Sequence, residues 1–432
     1  MTDTKYILVG SALFNWSETQ RMIEISDELS QRGYRIVFIG SGKYDYLLDT
    51  KDFIREHIDY DSSWYTLERI SMMLGMDQYG SDFATIEEVE NIIVAEINVI
   101  KKYNPLAILT GYRMTLTISS KICKIPIVWS LAATLSKIYL ESVAEKAEQV
   151  NKIKRDLKLP YQEIRALFED KIACERLLDE CKTSTVWNSF LKKNLCSPLV
   201  CDLDIYTGDL NLMSDAKELF PELIETETYK FIGPILNNQH IEMPEIVNQV
   251  ISQNSKRKKV LISIGSGGKK ELFVKILQST LGFDCDFFVS VIGILNNDDI
   301  KDYPSNYYFC DKFPLIEIAR ICDVAIIQGG QGTLYATIAG QCPFASLPAT
   351  FEQRQNVENL LKHYKCGEII RMFSVTEQSI KCALTLLLDS AQYKEGIIKV
   401  SNDISKYLIN RRQSSITAAD YIEELIFGKK YL

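Results

Sequence analysis

The chain has 432 residues, 46% of them hydrophobic and 25% charged, with a formal net charge of −8. At roughly 100–200 residues per domain, that length suggests two or three domains, each with enough apolar material for an ordinary core. The acidic balance argues against a nucleic-acid partner, which would call for a basic face, but leaves room for a local basic patch.

In chain order, Met1 to Asn15 has one short apolar run and lacks the basic start and long apolar stretch of a signal peptide. "KYILVGS" (5–11) reads as a buried strand, and "SETQRMIEISDELSQRG" (17–33) reads as a helix with Met22, Ile25 and Leu29 on one face. "YRIVFIGS" (34–41) is a second strand. A long helix over about 85–102 leads to the strand "PLAILTG" (105–111), a helix carrying Ile118 and Ile122, and the strand "IPIVWSL" (125–131). Strands separated by helices imply parallel βαβ units with right-handed crossovers.

Residues 137–183 are charged and helical without strands. Such an excursion either shapes a substrate pocket or is a packed pair of surface helices. "DLNLMSD" and "YKFIGPIL" (229–236) lead to a polar, strand-poor stretch, Asn237 to Lys259, that reads as a linker. Alternation restarts at "KVLISIGSGG" (259–268) and continues through a helix near 271–280, "DFFVSVIGI" (286–294), "YYFCDKF" (307–313), a short helix, "VAIIQ" (324–328), a loop, a helix and "CPFASLP" (342–348). A helical stretch over about 402–427 closes the chain. No apolar run approaches the ~20 residues that span a bilayer. The 11 cysteines are scattered without a CxxC pair, so neither a zinc site nor a disulfide framework is expected. These features suggest a soluble, reduced, cytoplasmic protein.

The densest motif is "IIQGGQGTLYATIAGQCP" (326–343), in which Gln328, Gly329, Gly330, Gln331, Gly332 and Thr333 stand between a strand and a helix. A helix start presents unpaired N–H groups and the positive end of the helix dipole. Glycines before it let an anion approach the backbone, and Thr333 can cap the helix and offer a hydroxyl. The plainer reading is a tight turn that needs positive φ. "GSGGKKE" (265–271) lacks P-loop spacing, and "GSALFNWS" (10–17) carries one glycine, so P-loop and dinucleotide-binding motifs are both set aside.

With "RGYRIVF", "FIGPI", "ISIGS", "QGGQGT", "AGQCP" and "LPATFEQRQN" in this order, the chain resembles the GT-B fold glycosyltransferases, specifically the UDP-glycosyltransferase-like group. The resemblance implies an α/β fold of two Rossmann-like doubly wound domains facing a cleft. It implies an acceptor-binding domain over 1–236, a donor-binding domain over 237–405, and a C-terminal helix, 406–432, returning towards the first. Gly329, Gly330, Gly332 and Thr333 would hold the diphosphate of a nucleotide-sugar donor, expected to be UDP-linked, with Gln328 and Ser266 at its phosphates. Lys312 and Phe313 would lie near the base, and Glu352 and Gln353 would bind sugar hydroxyls. The expected co-substrates are that donor and a small-molecule acceptor, with no metal and no further cofactor.

Three departures from the family pattern matter. The loop histidine is Gln328, which donates a hydrogen bond but carries no charge. The ribose-reading glutamate falls on Ala336, which makes a deoxyribose donor more plausible. The catalytic histidine falls on Glu18, and its aspartate partner near Thr110 or Gly111. Glu18 can serve as the base if burial raises its pKa, or can sit in a helix first turn capped by Ser17, with Gln20 reaching back. Arg113 can bind an anionic acceptor group or pair with a surface acid. His57, His240 and His363 fit no catalytic position. "DCD" (284–286) precedes a strand and reads as a loop feature. An inverting, metal-independent glycosyltransferase is the leading expectation. A related protein that lost its chemistry and a nucleotide-sugar epimerase of related fold are the alternatives.

Overall fold

The computed structural model of the chain describes residues 4–58, 85–153, 184–236, 241–252, 256–265 and 268–428, with Asp170, Lys171, Cys174 and Leu178 between them. It divides into two compact units. One holds Met1–Lys217, Pro221–Ile235 and Arg412–Leu432, and the other holds Glu218–Phe220 and Leu236–Arg411.

The first unit runs β1 (Tyr6–Gly10), α1 (Trp16–Gln31), β2 (Arg35–Ile39), β3 (Ile54–Glu56), α2 (Ile86–Tyr103), β4 (Ala107–Thr110), α3 (Thr115–Cys123), β5 (Ile127–Leu131), α4 (Lys137–Ile153), α5 (Ser184–Lys193), β6 (Leu210–Met213) and β7 (Tyr229–Phe231). Its strands form one parallel sheet in the order β3-β2-β1-β4-β5-β6-β7. Helices on the crossovers bury both faces of such a sheet, and the strands accordingly read as continuous apolar runs. Ile7, Val9, Phe38 and Leu109 are all buried in one core cluster.

The second unit runs α6 (Glu245–Ser252), β8 (Lys258–Ser263), α7 (Lys270–Thr280), β9 (Cys285–Ser290), α8 (Asn297–Ile300), β10 (Tyr307–Cys310), α9 (Leu315–Ile321), β11 (Val324–Ile327), α10 (Gln331–Ala339), β12 (Phe344–Ser346), α11 (Phe351–His363), β13 (Gly367–Ile369), α12 (Glu377–Asp389), α13 (Ala391–Asp403) and α14 (Ser405–Ile409). Its parallel sheet has the order β10-β9-β8-β11-β12-β13. The stretch read as a linker carries α6, whose Val247 and Val250 are buried. The closing helical stretch is interrupted. After α14, α15 (Gln413–Phe427) packs in the first unit, where Ala418, Ala419 and Ile422 enter the same core as α1. Arg32 fastens it through ion pairs of 2.7 Å to both Asp420 and Glu423.

Each sheet has one place where strand order reverses: between β1 and β4 in the first, and between β8 and β11 in the second. In open α/β sheets the loops at the carboxyl ends of those strands form the natural ligand crevice. The site residues of each unit are best read from that position.

Candidate active site

In the first unit the reversal brings the loop after β1 against the loop after β4, with Glu18 between them. The structure corrects the expected cap of α1: Asn15, not Ser17, is the N-cap, and its side chain accepts from the Glu18 N–H at 3.1 Å. Glu18 therefore stands at the third helical position, but its carboxylate does not reach back to close a capping box. Instead Oε2 accepts from the Ser11 hydroxyl at 2.5 Å, and Oε1 faces the Tyr112 N–H at 3.4 Å. The residue is 1% exposed. Burial raises its pKa to about 7, opposed in part by the Ser11 hydrogen bond, the Arg21 charge and the Tyr112 and Ala12 amides.

Gly111 explains how the carboxyl fits. A Cβ there would lie 2.5 Å from Glu18 Oε1 and 2.6 Å from its Cγ, so only glycine admits this side chain. Where the family pattern places an aspartate partner, this chain has bare backbone packed on the carboxyl. Beside it lies a narrow pocket, lined by Gly111, Tyr112, Trp129, Leu131 and Tyr206 among others. Trp129 is fixed by its indole N–H, which donates to Thr117 Oγ1 at 3.0 Å, and by edge contact with Tyr206 at 5.5 Å. Trp129, Tyr206 and the role of Ser11 carry no motif in the sequence, and only the sheet order brings them together. The described walls of this pocket come from Arg21 on α1, the ends of β4 and β5, Leu135 in the turn Ala133–Leu135 and the short turn Asp202–Tyr206, not from the 137–183 excursion. Most of that excursion after Ile153 lies outside the described residues.

Arg113 does not face an acceptor. It is fully buried, and its Nε donates to Glu96 Oε1 at 2.8 Å, with the Thr115 and Ser119 hydroxyls on the same carboxylate at 2.5 Å. The charge is spent holding α2 to the start of α3. Its partner lies 17 residues back on another helix, beyond what local spacing could reveal.

In the second unit the reversal lies beneath the glycine loop. Gly330 is the N-cap of α10, so the first helical amides are those of Gln331, Gly332 and Thr333. Thr333 is not the cap; its hydroxyl donates back to the Gly330 carbonyl at 3.0 Å. The two leading glycines differ in kind. Gly329 has φ +96, and a Cβ there would sit 2.6 Å from Val357 Cγ2, so it is required by the fold. Gly330 has φ −62, and a Cβ there would meet nothing within 4 Å. Across the reversal, Gly265 likewise borders open space. Packing thus accounts for Gly329, whereas the backbone of Gly330 lies open to approach.

The polar side chains around this turn point the same way. Ser263 and Ser346 flank Ile327 in register at the ends of β8 and β12. Their hydroxyls, and both polar atoms of the Gln328 side chain, are buried without a hydrogen-bond partner. Buried polar groups are nearly always paired, so such a concentration at one crevice suits a polar ligand or ordered water. Ser266 lies outside the described residues.

The remaining donor candidates divide. Gln353 is half-buried, and its carbonyl accepts from the Ala349 and Thr350 amides at 2.9 and 3.3 Å, closing the capping box of α11. Only its NH2 end is left to meet a sugar. Glu352 is half-buried in the first turn of the same helix. Phe313 is 2% exposed and packs edge-on against Phe288 at 6.2 Å, so its ring belongs to the core and only its backbone could meet a base. Ala336, where the resemblance expects a carboxylate, is buried on α10. The "DCD" segment is a loop only at Asp284: Cys285 and Asp286 open β9, and Arg257 pairs with Asp284 at 2.7 Å and with Asp286 at 3.8 Å.

No protein-family model matches the chain. It is 22% identical over 402 residues to a PGL/p-HBAD biosynthesis glycosyltransferase of Mycobacterium tuberculosis, covering 91% of this chain and 86% of the relative. It is 20% identical over 390 residues to a PGL/p-HBAD biosynthesis rhamnosyltransferase of Mycobacterium bovis, covering 88% and 80%. Among solved structures, the glycotransferase of kitacinnamycin superposes with a TM-score of 0.67 at 16% identity, covering 98% of this chain and 99% of that one. The calicheamicin glycosyltransferase gives 0.66 at 15% identity with full coverage of both. The spinosyn rhamnosyltransferase complexed with thymidine diphosphate gives 0.60 at 12% identity, covering 93% and 96%. The fold is that of the GT-B glycosyltransferases.

Proposed function

We propose that this chain, a glycosyltransferase of the GT-B fold, moves a sugar from a pyrimidine nucleoside diphosphate to a hydroxyl on a small, largely apolar acceptor, with inversion. The observation that carries the proposal is the buried carboxylate of Glu18, its pKa raised to about 7, beside a narrow, mainly apolar pocket at the ends of β4 and β5. A base is most effective when its pKa lies near the working pH, and burial has moved Glu18 there from the ordinary carboxylate range.

In the reaction the acceptor oxygen attacks the anomeric carbon and the bond from that carbon to the diphosphate oxygen breaks. The acceptor proton passes to Glu18, whose Oε2 is anchored by Ser11 while Oε1 lies on the Gly111–Tyr112 side that borders the pocket. Charge developing on the departing diphosphate is met by the amides of Gln331, Gly332 and Thr333 and by the Gln328 NH2. Such donors act without metal assistance because they are aligned before the bond breaks. The oxocarbenium-like character of the transition state needs no further covalent partner.

Ala336 bears on the base. With no carboxylate at that position of α10, nothing there rewards a 2′-hydroxyl, so a thymidine diphosphate donor competes with the expected uridine one. The spinosyn enzyme crystallised with thymidine diphosphate supports this second reading.

A thermal-shift panel of UDP, TDP, GDP and ADP tests the donor assignment. A nucleotide present at 100 times its dissociation constant adds about 2.7 kcal/mol to stability. UDP or TDP should raise the melting temperature and ADP and GDP should do so less. A chain indifferent to all four would not be a nucleotide-sugar enzyme.

A further inference from the structure

The loop that follows α5 combines backbone strain with apolar exposure, and neither helps the fold. The helix ends in a Schellman-type arrangement: the Cys196 N–H donates to the Leu191 carbonyl at 2.8 Å, and the Leu195 N–H to that of Lys192 at 3.1 Å. The left-handed position of such a cap suits glycine or asparagine. Here it holds Leu195, with φ 58 and a side chain 97% exposed. Val200, five residues on, is 76% exposed, its N–H donating to Asp204 Oδ2 at 2.7 Å. Pro198 between them is exposed as well.

The surroundings of this apolar tip are basic, within a chain of net charge −8. Lys192 and Lys193 end α5, and Lys121 and Lys124 stand at the end of α3; all four are exposed. The two ends are neighbours: Cys196 Sγ lies 3.7 Å from the Lys121 carbonyl, and Lys121, Lys124, Pro198 and Leu199 line one cleft. Asp204 and Asp209 line the same cleft as Lys121 and Lys124. Asp204 holds Lys137 at 2.9 Å, Asp209 accepts from the Ile127 N–H at 2.8 Å, and Glu90 meets Lys193 at 2.9 Å in a solvent-exposed pair.

We propose that this surface docks the first unit on an anionic membrane, with Leu195 and Val200 entering the interfacial layer and the four lysines meeting the headgroups. Exposed apolar side chains on a loop flanked by lysines are the chemistry of peripheral membrane contact, in which each basic residue near an anionic surface adds to binding. The strain at Leu195 then has a use, since it points an apolar side chain outward at a position that folding alone would give to glycine. The inference stands on this surface and does not depend on the transfer reaction.

Sedimentation of the full chain with vesicles tests it. Vesicles of phosphatidylcholine with about one-third phosphatidylglycerol should carry the protein down at low salt, and pure phosphatidylcholine far less, with binding weakening as salt screens the lysines. Leu195→Asn suits the left-handed backbone and should keep or raise the melting temperature while lowering vesicle partitioning about tenfold. Lys121→Gln with Lys124→Gln should lower it as well. The proposal is overturned by no sedimentation with anionic vesicles at low salt. It is equally overturned if Leu195→Asn binds like the parent, which leaves only charge attraction. A Leu195-dependent dimer without vesicle binding would assign the surface to a second copy instead.

Discussion

Glu18→Gln lowers turnover by about 10²–10⁴-fold, the usual contribution of a positioned base, while nucleotide binding is unchanged. In the parent enzyme, turnover rises with pH through about 7, because the carboxylate form is the active one and burial has raised its pKa to that value. Stability moves in the opposite direction. A carboxyl that holds its proton more tightly when folded makes the folded state bind more protons than the unfolded one, so stability falls as pH rises from 4.5 to about 7 and then levels. The shift corresponds to about 3 kcal/mol above neutrality. Glu18→Gln therefore melts higher than the parent at pH 8, and the gain shrinks towards pH 4.5. Steady-state rates and thermal melts across pH, on both proteins, check the two halves together. A variant that keeps its turnover, or a parent whose rate is flat from pH 6 to 8, removes Glu18 from the mechanism.

Gly330→Ala separates binding from folding. Its backbone, φ −62 and ψ 147, accepts alanine, and a Cβ there meets nothing within 4 Å. Folding stability should hold, or rise by about 0.4–1 kcal/mol as the unfolded chain loses freedom. Nucleotide affinity should nevertheless fall at least about tenfold, or 1.4 kcal/mol, because the methyl stands where a diphosphate approaches. Gly329→Ala is the contrasting variant: φ +96 and the 2.6 Å approach to Val357 make it destabilising whatever it does to binding. Titration calorimetry alongside thermal melts reads both quantities. Unchanged affinity in Gly330→Ala would mean that the loop is a structural turn and nothing more.

The two parallel sheets were legible because strands covered on both faces are written as unbroken apolar runs, and 324–327 and 7–9 are clear examples. The glycine loop was legible because its residues are contiguous. The Glu18 carboxyl was legible only as a position. The cap expected at Ser17 is Asn15, and where the Glu18 side chain goes is not written in the capping pattern at all. That is settled by Ser11, seven residues earlier, and by the bare backbone of Gly111, brought alongside by the pairing of β1 with β4. Arg113 misled for the same reason: its partner Glu96 is remote in sequence and adjacent only once α2 packs on α3. Phe313 fits the motif by position while its ring is claimed by Phe288. Contiguous motifs could be read directly, whereas side chains whose environment comes from another βα loop could not.

The most direct test is a crystal structure of the chain with UDP or TDP bound. The account predicts diphosphate oxygens within hydrogen-bond distance of the Gln331, Gly332 and Thr333 amides, with a phosphate over Gly330 and the Gln328 amide turned to meet it. A diphosphate bound elsewhere on the second unit, with the Gln328–Thr333 turn untouched, would contradict it.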